Sequence, residues 1–141
     1  MQLTNSGLEI VAHGEGTHFS FNIEAGKRIV FVRFKKKLTA ADIRRYAERV
    51  RTHPEFNPEF SEMVDLTEVK DLELGADDFL KLADEIDCFS ARAWRAFIVS
   101  NSVQSHAARM HKILRTPDNM RIFSSLEQAR AWIESRPAIS G

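Results

Sequence analysis

The sequence predicts an α/β fold in which a mixed, mainly parallel sheet carries an antiparallel N-terminal edge and about four helices. Residues 29–34 form an almost continuous run of β-branched and aromatic side chains, typical of a strand buried on both faces. An amphipathic helical pattern follows at 39–52, and a second short apolar run lies at 63–66. Because strands and helices keep alternating to the C-terminus, we expect parallel pairing through right-handed crossovers.

Two weakly alternating segments, residues 8–13 and 18–23, precede this pattern, and Gly14 and Gly16 separate them. This arrangement predicts edge strands or a hairpin. The dipeptide Ala25-Gly26 marks the next turn. We therefore expect the N-terminal segments to form the antiparallel edge of the sheet.

The first helix has start and stop signals in the sequence. The Thr39 hydroxyl can accept a hydrogen bond from the first turn, and Asp42 occupies the position of a capping-box acid. His53-Pro54 ends the helix because the residue before a proline avoids the α region. The apolar stripe of the helix comprises Ile43, Tyr46, Ala47 and Val50.

The later elements are predicted from shorter patterns. We expect a helix over residues 79–86 and strands at 94–99 and 121–123. Polar caps introduce a helix after each of these two strands. The caps are Asn101 and Ser102 for the first of these helices, and Ser124 with Glu127 for the second.

Length and composition indicate one domain spanning residues 1–141. The chain is 43% hydrophobic and contains ten Phe, which suffices for a core without cross-links. The lone cysteine, Cys88, excludes an internal disulfide and favours a reducing compartment. Because neither a signal-like N-terminus nor an apolar run of roughly 20 residues is present, we expect a cytoplasmic protein with no membrane span.

The net charge is zero, but the charges are segregated along the chain. Residues 27–51 contain ten Lys and Arg against two acids, whereas residues 71–87 contain seven acids against one Lys. The two segments are either solvated faces, with Lys35–Lys37 in a loop, or complementary halves of a dimer contact, or include a basic patch for an anionic partner. The neutral total charge and the absence of a binding motif argue against nucleic acid.

Six segments, in a fixed order, carry a resemblance to a known family. They are Leu38-Thr39-Ala40-Ala41-Asp42, His53-Pro54-Glu55-Phe56-Asn57-Pro58-Glu59-Phe60, Val64-Asp65-Leu66-Thr67-Glu68-Val69, Ala96-Phe97-Ile98-Val99, Ile122-Phe123 and Glu127-Gln128-Ala129-Arg130-Ala131-Trp132-Ile133. With these segments the chain resembles the SpoIIAA-like group of small bacterial proteins over roughly residues 17–135. That group is related to STAS domains, and its fold is similar to that of the CRAL-TRIO lipid carriers.

The resemblance implies a mixed sheet and a binding or regulatory role. STAS antagonists are switched by phosphorylation of a serine in the loop that follows an Asp-Leu-Ser-like strand. The corresponding loop here, residues 71–76, contains no Ser or Thr, and Thr67 lies too early in the motif. We therefore do not transfer the phosphorylation switch to this chain.

No catalytic, cofactor or metal site is predicted. His106 and His111 are five residues apart, which places them on different sides of a helix. The acids before Cys88 raise the pKa of its thiol and disfavour a nucleophilic role. Asp65 lies near the carboxyl end of a strand, where ligands gather in open sheets, although an Asp there also commonly bonds the following turn.

The leading hypothesis is a non-catalytic regulatory or protein-interaction module that forms a homodimer. The predicted contact surface comprises Asp65, Thr67, Asp71, Asp77 and Asp78. The alternative is a carrier of a small apolar or lipid-like ligand, and an enzyme is the least favoured class. No cofactor is expected.

Overall fold

The computed structural model describes residues 18–81, 87–115 and 119–137, and these residues form a five-stranded sheet with four helices. The predicted strand at 8–13 lies outside the described residues. The elements are β1 (Phe19–Glu24), β2 (Ile29–Thr39), α1 (Ala40–Arg51), β3 (Ser61–Glu73), α2 (Ala76–Lys81), β4 (Arg95–Ile98), α3 (Ser102–Arg115), β5 (Met120–Phe123) and α4 (Leu126–Glu134).

The strands lie in the order β1-β2-β3-β4-β5. β1 runs antiparallel to β2, and the pairs β2–β3, β3–β4 and β4–β5 are parallel. The predicted mixed sheet with an antiparallel edge is therefore confirmed. Because successive parallel strands are neighbours and crossovers share one hand, α1 and α3 pack on one face. α4 packs on the other face.

Both faces of the sheet carry an apolar core. On the α1 side, the rings of Phe19, Phe21 and Phe34 surround Tyr46 with centroid distances of 5.7–6.1 Å. On the α4 side, Trp94 stacks on Trp132 at a centroid distance of 4.7 Å. Edge-to-face and offset stacking are the favoured geometries for such rings.

Polar side chains cap the helices, with one shift from the prediction. Thr39 caps α1 by accepting from the Asp42 N–H at 3.1 Å, as the sequence predicts. α4 is capped by Ser125 and not by the predicted Ser124, because the hydroxyl of Ser125 accepts from the backbone N–H of Gln128. The capping-box spacing placed the start of this helix one residue too early.

The second helix also begins earlier than predicted. α2 spans Ala76–Lys81, whereas the apolar pattern suggested residues 79–86, and residues 82–86 are not described. The Asp78 carboxylate accepts from the Gly75 N–H at 2.9 Å and so holds the turn before the helix. The apolar pattern missed this polar first turn.

The largest correction concerns strand length. β2 continues to Thr39 and β3 to Glu73, well past the predicted ends at residues 34 and 66. Backbone pairing from Lys35↔Glu68 to Thr39↔Glu73 carries the charged residues, with register shifts and a positive φ of 63° at Lys36. Strands predicted from apolar runs end at the first charged residue. The hydrogen bonds that join two strands, however, involve only backbone N–H and C=O groups, so charged residues can continue a strand. We define residues 35–39 and 68–73 as the charged arm.

Candidate functional site

Asp65, one of the five predicted interaction residues, lies within β3 and not near the end of a strand as predicted, because β3 continues to Glu73. Its position is where the pairing of β3 with β4 ends, inside the protein. Its side chain is 4% exposed. One carboxylate oxygen accepts from the backbone N–H and the hydroxyl of Thr67 at 2.9 and 2.7 Å, and the other accepts from Arg33 Nε at 2.9 Å. Asp65 therefore bonds the residues that follow it, the alternative that the sequence had left open, and offers no free carboxylate to a partner.

Gln104 secures the edge of β3 just beyond Asp65, where β4 has already ended. Its side-chain amide donates to the carbonyl oxygens of Thr67 and Val69 at 3.2 and 2.8 Å. Its oxygen accepts from the Ser100 N–H at 2.7 Å, and the side chain is 2% exposed. Sequence reasoning missed Gln104, although a long polar side chain beside an apolar helix stripe was a usable signal.

The charged arm carries cations on one strand and mainly acids on the next. Lys35, Lys36 and Lys37 are exposed on β2, and Glu68, Lys70, Asp71 and Glu73 are exposed on β3. Two ion pairs tie the strands, Lys37 to Glu73 at 3.3 Å and Arg33 to Glu68 at 3.6 Å. The prediction of a loop for Lys35–Lys37 is wrong, because these residues belong to β2. In the described residues, Lys35, Lys36 and Asp71 make no ion pair.

The other predicted interaction residues divide into two kinds. Asp71 pairs with Lys37 in the β2–β3 register and is exposed, so the supposed loop at 71–76 begins inside a strand. Asp77 is exposed in the first turn of α2. Asp78 is half-buried and bonds Gly75. Asp71 and Asp77 are thus exposed, whereas Asp65, Thr67 and Asp78 make hydrogen bonds within the fold.

An apolar cavity of about 90 Å³ lies between the sheet and the α1–α3 layer. Aromatic and aliphatic side chains make up most of its wall, and charged groups lie at one end. The wall includes Phe34, Leu38, Ile43, Val64, Leu66 and Phe97. The charged end consists of Glu62, Asp87 and Arg95.

These three charged residues and Tyr46 form one buried network. Arg95 Nε and Nη2 lie 2.9 and 2.8 Å from Glu62 Oε1, and its Nη1 donates to Asp87. The Tyr46 hydroxyl donates to Glu62 Oε2 at 2.6 Å. The network was not predicted, although Arg95 and Glu62 stand out as charged residues at the starts of apolar strands.

The network shifts the ionisation of its members. Burial, together with the negative charge of Glu62, raises the pKa of Tyr46 well above its usual value. Burial on its own would lower the pKa of Arg95, but Glu62 and Asp87 offset that effect and raise it. Tyr46 therefore stays neutral and Arg95 stays charged. The charged part of the cavity wall thus keeps Arg95 paired with Glu62 and Asp87.

Cys88 lies beside this network and is half-buried. Burial, followed by the charges of Glu62 and Asp87, raises the pKa of its thiol to about 12. The expected direction is confirmed, but burial and not the acidic sequence neighbours is the main cause. A thiolate nucleophile is thus suppressed at neutral pH.

Within the described segments, no three His, Cys, Asp or Glu side chains are grouped so that they could hold a metal ion. Over the same segments, no helix combines the length and the apolar character that crossing a membrane requires.

Comparison with solved structures places the fold in a known class. An uncharacterised DUF3478-family protein with a SpoIIAA-like fold from Shewanella loihica PV-4 is 20% identical, with a TM-score of 0.53 over 94% of this chain and 98% of that chain. An anti-sigma factor antagonist from Mycobacterium paratuberculosis is 10% identical, with a TM-score of 0.54 over 93% and 98%. At these identities the likeness establishes the fold.

A sequence profile of the SpoIIAA-like family matches residues 29–134. The chain therefore belongs to the SpoIIAA-like family, and the resemblance read from its sequence is confirmed. No protein of curated function matches the chain.

Proposed function

We propose that the protein is a non-catalytic regulatory module that acts by binding a protein through its charged arm, and that a second copy of the chain is this partner. The observation that carries the proposal is the placement of exposed lysines on β2 directly beside exposed acids on β3. Neighbouring strands lie about 4.8 Å apart, so both signs occupy one narrow surface. Such a surface is complementary to its own copy turned about a two-fold axis.

The arm favours contacts between side chains over the addition of a strand. Lysines and register irregularities on an exposed edge oppose pairing with another strand, and β2 carries both at residues 35–37. On the side facing α3, Gln104 already bonds the carbonyl groups of β3. The contact is therefore ionic, and salt weakens it.

The comparisons and the buried network support a binding role. One structural neighbour is named an anti-sigma factor antagonist, which is a protein that acts on another protein. The raised thiol pKa of Cys88 and the paired charges around Arg95 leave no activated nucleophile or free acid at the cavity. A lone cysteine also suits the reducing cytoplasm as the setting of this module.

The test is the oligomeric state measured by sedimentation velocity over a wide concentration range, at low and at high salt. We expect a dimer that dissociates as salt rises. The double variants Asp71→Lys/Glu73→Lys and Lys35→Glu/Lys36→Glu each reverse one strand of the arm, so each dissociates on its own. Mixing the two variants restores a dimer, because the reversed surfaces attract each other.

Arg44→Glu/Arg49→Glu is the matched control, since it makes the same charge change as the lysine variant on the exposed face of α1. A chain that stays monomeric under all conditions contradicts self-association. Equal dissociation of the control contradicts the assignment of the contact to the arm.

The apolar cavity favours a second candidate function, the carriage of a small apolar or lipid-like ligand. Its volume of about 90 Å³ is smaller than the roughly 300–1,000 Å³ of ordinary small-molecule sites. In this state it accommodates only a short alkyl segment, and for this reason we rank the carrier second. Native mass spectrometry of purified protein tests it, and Ala107→Leu, which fills the cavity wall, should abolish any bound mass. A clean apo mass contradicts the carrier.

A further inference from the structure

A second pocket lies at the amino ends of β2 and β3, at the opposite end of the sheet from the charged arm. Its volume is about 360 Å³, within the range of small-molecule sites. Three cations, one acid and one hydroxyl provide its polar lining: Lys27, Arg28, Arg136, Glu134 and Ser61. The pocket therefore has a positive balance, unlike the apolar cavity.

Arg136 is held in place by only part of its guanidinium. Its Nη1 donates to the carbonyl oxygen of Glu59 at 2.8 Å and to the Ser61 hydroxyl at 3.3 Å. Its Nε and Nη2 donate to no acceptor in the described residues. These two nitrogens form one side of the planar fork that binds oxyanions in a bidentate manner. Arg136 is thus positioned, half-buried and still able to bind.

Arg28 adds an unneutralised charge to the same pocket. In the described part of the chain its guanidinium meets no carboxylate, and it lies 5.5 Å from the ring centroid of Phe60. Its φ is 61°, a left-handed conformation that is unfavourable for a residue with a long side chain. The strained backbone keeps a cation at the end of the turn, where Asn or Gly would be more relaxed.

Charges of both signs surround Arg136. Burial is the main reason that the pKa of Arg136 is lowered. Glu59 opposes this effect, and the nearby cations Arg28 and Arg92 add to it. Glu134, the acid of the lining, lies 3.8 Å from Lys27 and 3.5 Å from Arg130. It is therefore shared between two cations. Glu59, the acid that acts most strongly on Arg136, pairs directly with Arg92 at 3.2 Å, and within the described residues neither Arg28 nor Arg136 forms an ion pair.

We propose that this pocket binds a phosphate group carried by a small molecule, with the free fork of Arg136 and the guanidinium of Arg28 on the phosphate oxygens. Two guanidiniums that make no ion pair within the described residues suit a dianion better than they suit a singly charged carboxylate. The pocket volume exceeds that of a phosphate alone, which leaves space for a carbon skeleton. This site is independent of the charged arm and goes beyond the proposed function.

The test is an NMR titration of the ¹⁵N-labelled full chain with inorganic phosphate, glycerol 3-phosphate and acetate, with ionic strength held constant by chloride. We expect saturable shifts of the amides of Lys27, Arg28, Ser61 and Arg136, and tighter binding of glycerol 3-phosphate than of inorganic phosphate. Arg28→Asn should weaken binding about tenfold, because one charge-assisted contact is lost. Asn tolerates the left-handed conformation, so the turn is preserved.

Lys36→Asn is the matched control, since Lys36 is the other described non-glycine residue with a positive φ and is also an exposed cation. It lies eight residues further along β2, roughly 26 Å away and beyond the Debye length. The affinity of the Lys36→Asn variant for glycerol 3-phosphate should equal that of the wild type. Equal weakening by both variants, non-saturating shifts, acetate binding as tight as phosphate, or inorganic phosphate binding as tight as glycerol 3-phosphate would each overturn the proposal.

Discussion

Arg95 Nη2 lies 2.8 Å from Glu62 Oε1 at the amino ends of β3 and β4, and neither side chain is more than 5% exposed. The two residues are partners in the β3–β4 register. Because Tyr46 of α1 and Asp87 bond to the same pair, four separate parts of the chain meet in one hydrogen-bonded network.

Arg95→Met should destabilise the protein by about 3–5 kcal/mol, because it leaves the Glu62 and Asp87 carboxylates buried without their cation. Chemical denaturation followed by fluorescence measures the loss. The double variant Glu62→Gln/Arg95→Met should recover part of it, since one of the two unpaired charges is removed. Arg44→Met, at an exposed position of α1, serves as the control and should change stability by less than about 0.5 kcal/mol. A loss of similar size in the control would contradict the network as the cause.

Gln104→Ala should cost about 1–3 kcal/mol, because the carbonyl groups of Thr67 and Val69 lose their donor. Hydrogen exchange should also become faster along the distal half of β3, where Gln104 replaces a neighbouring strand. Gln128→Ala is the matched control, since Gln128 is exposed on α4. Unchanged exchange in β3 would show that α3 does not secure this edge through Gln104.

The Cys88 thiol should react slowly with iodoacetamide at neutral pH, since a pKa of about 12 leaves little thiolate. The rate should rise steadily with pH to pH 10 without a plateau, whereas a free cysteine levels off above its pKa of about 8.5. Cys88→Ser/Arg44→Cys carries a single exposed thiol and supplies the comparison. A plateau near pH 9 in the wild type would contradict a buried, protonated thiol.

The free energy of unfolding should fall as the pH rises above the pKa of a free thiol. The unfolded state loses the Cys88 proton near pH 8.5, while the folded state keeps it until about pH 12. The stabilisation is therefore complete below about pH 8.5 and is lost between these two values, at up to roughly 1.4 kcal/mol per pH unit. Denaturation at pH 9 and pH 10 should show a smaller loss for Cys88→Ser than for the wild type. Equal losses would mean that Cys88 does not cause the decline.

The alternation of strands and helices was predictable because burial leaves a clear periodicity in the sequence. Thr39 predicted the start of the first helix, and the apolar run at 29–34 predicted β2. The charged arm was not predictable in the same way. Its strands continue through Lys35–Lys37 and Glu68–Glu73, where the pairing is by backbone groups and leaves no apolar signature.

The candidate sites show the same division. Asp71 and Asp77 are exposed, and their place in a contact surface stays a prediction. The prediction that Asp65 lies near the carboxyl end of its strand is wrong, because β3 continues to Glu73. The ion pair of Asp65 with Arg33 depends on a residue 32 positions away in the sequence. Gln104 and the fork of Arg136 depend on contacts at least as distant in sequence, so no local pattern revealed them.

The sequence by itself determined the α/β class, the antiparallel edge of the sheet and the membership of the SpoIIAA-like family, since these depend on periodicity and on the order of local motifs. Only the tertiary structure decided which charged side chains form ion pairs inside the protein and which ones make no ion pair. Arg95 and Asp65 are neutralised by partners on neighbouring strands, whereas Arg28, Lys36 and Asp71 make no ion pair within the described residues. The physical reason is that Coulomb interactions depend on distance in space, and a linear sequence does not record that distance.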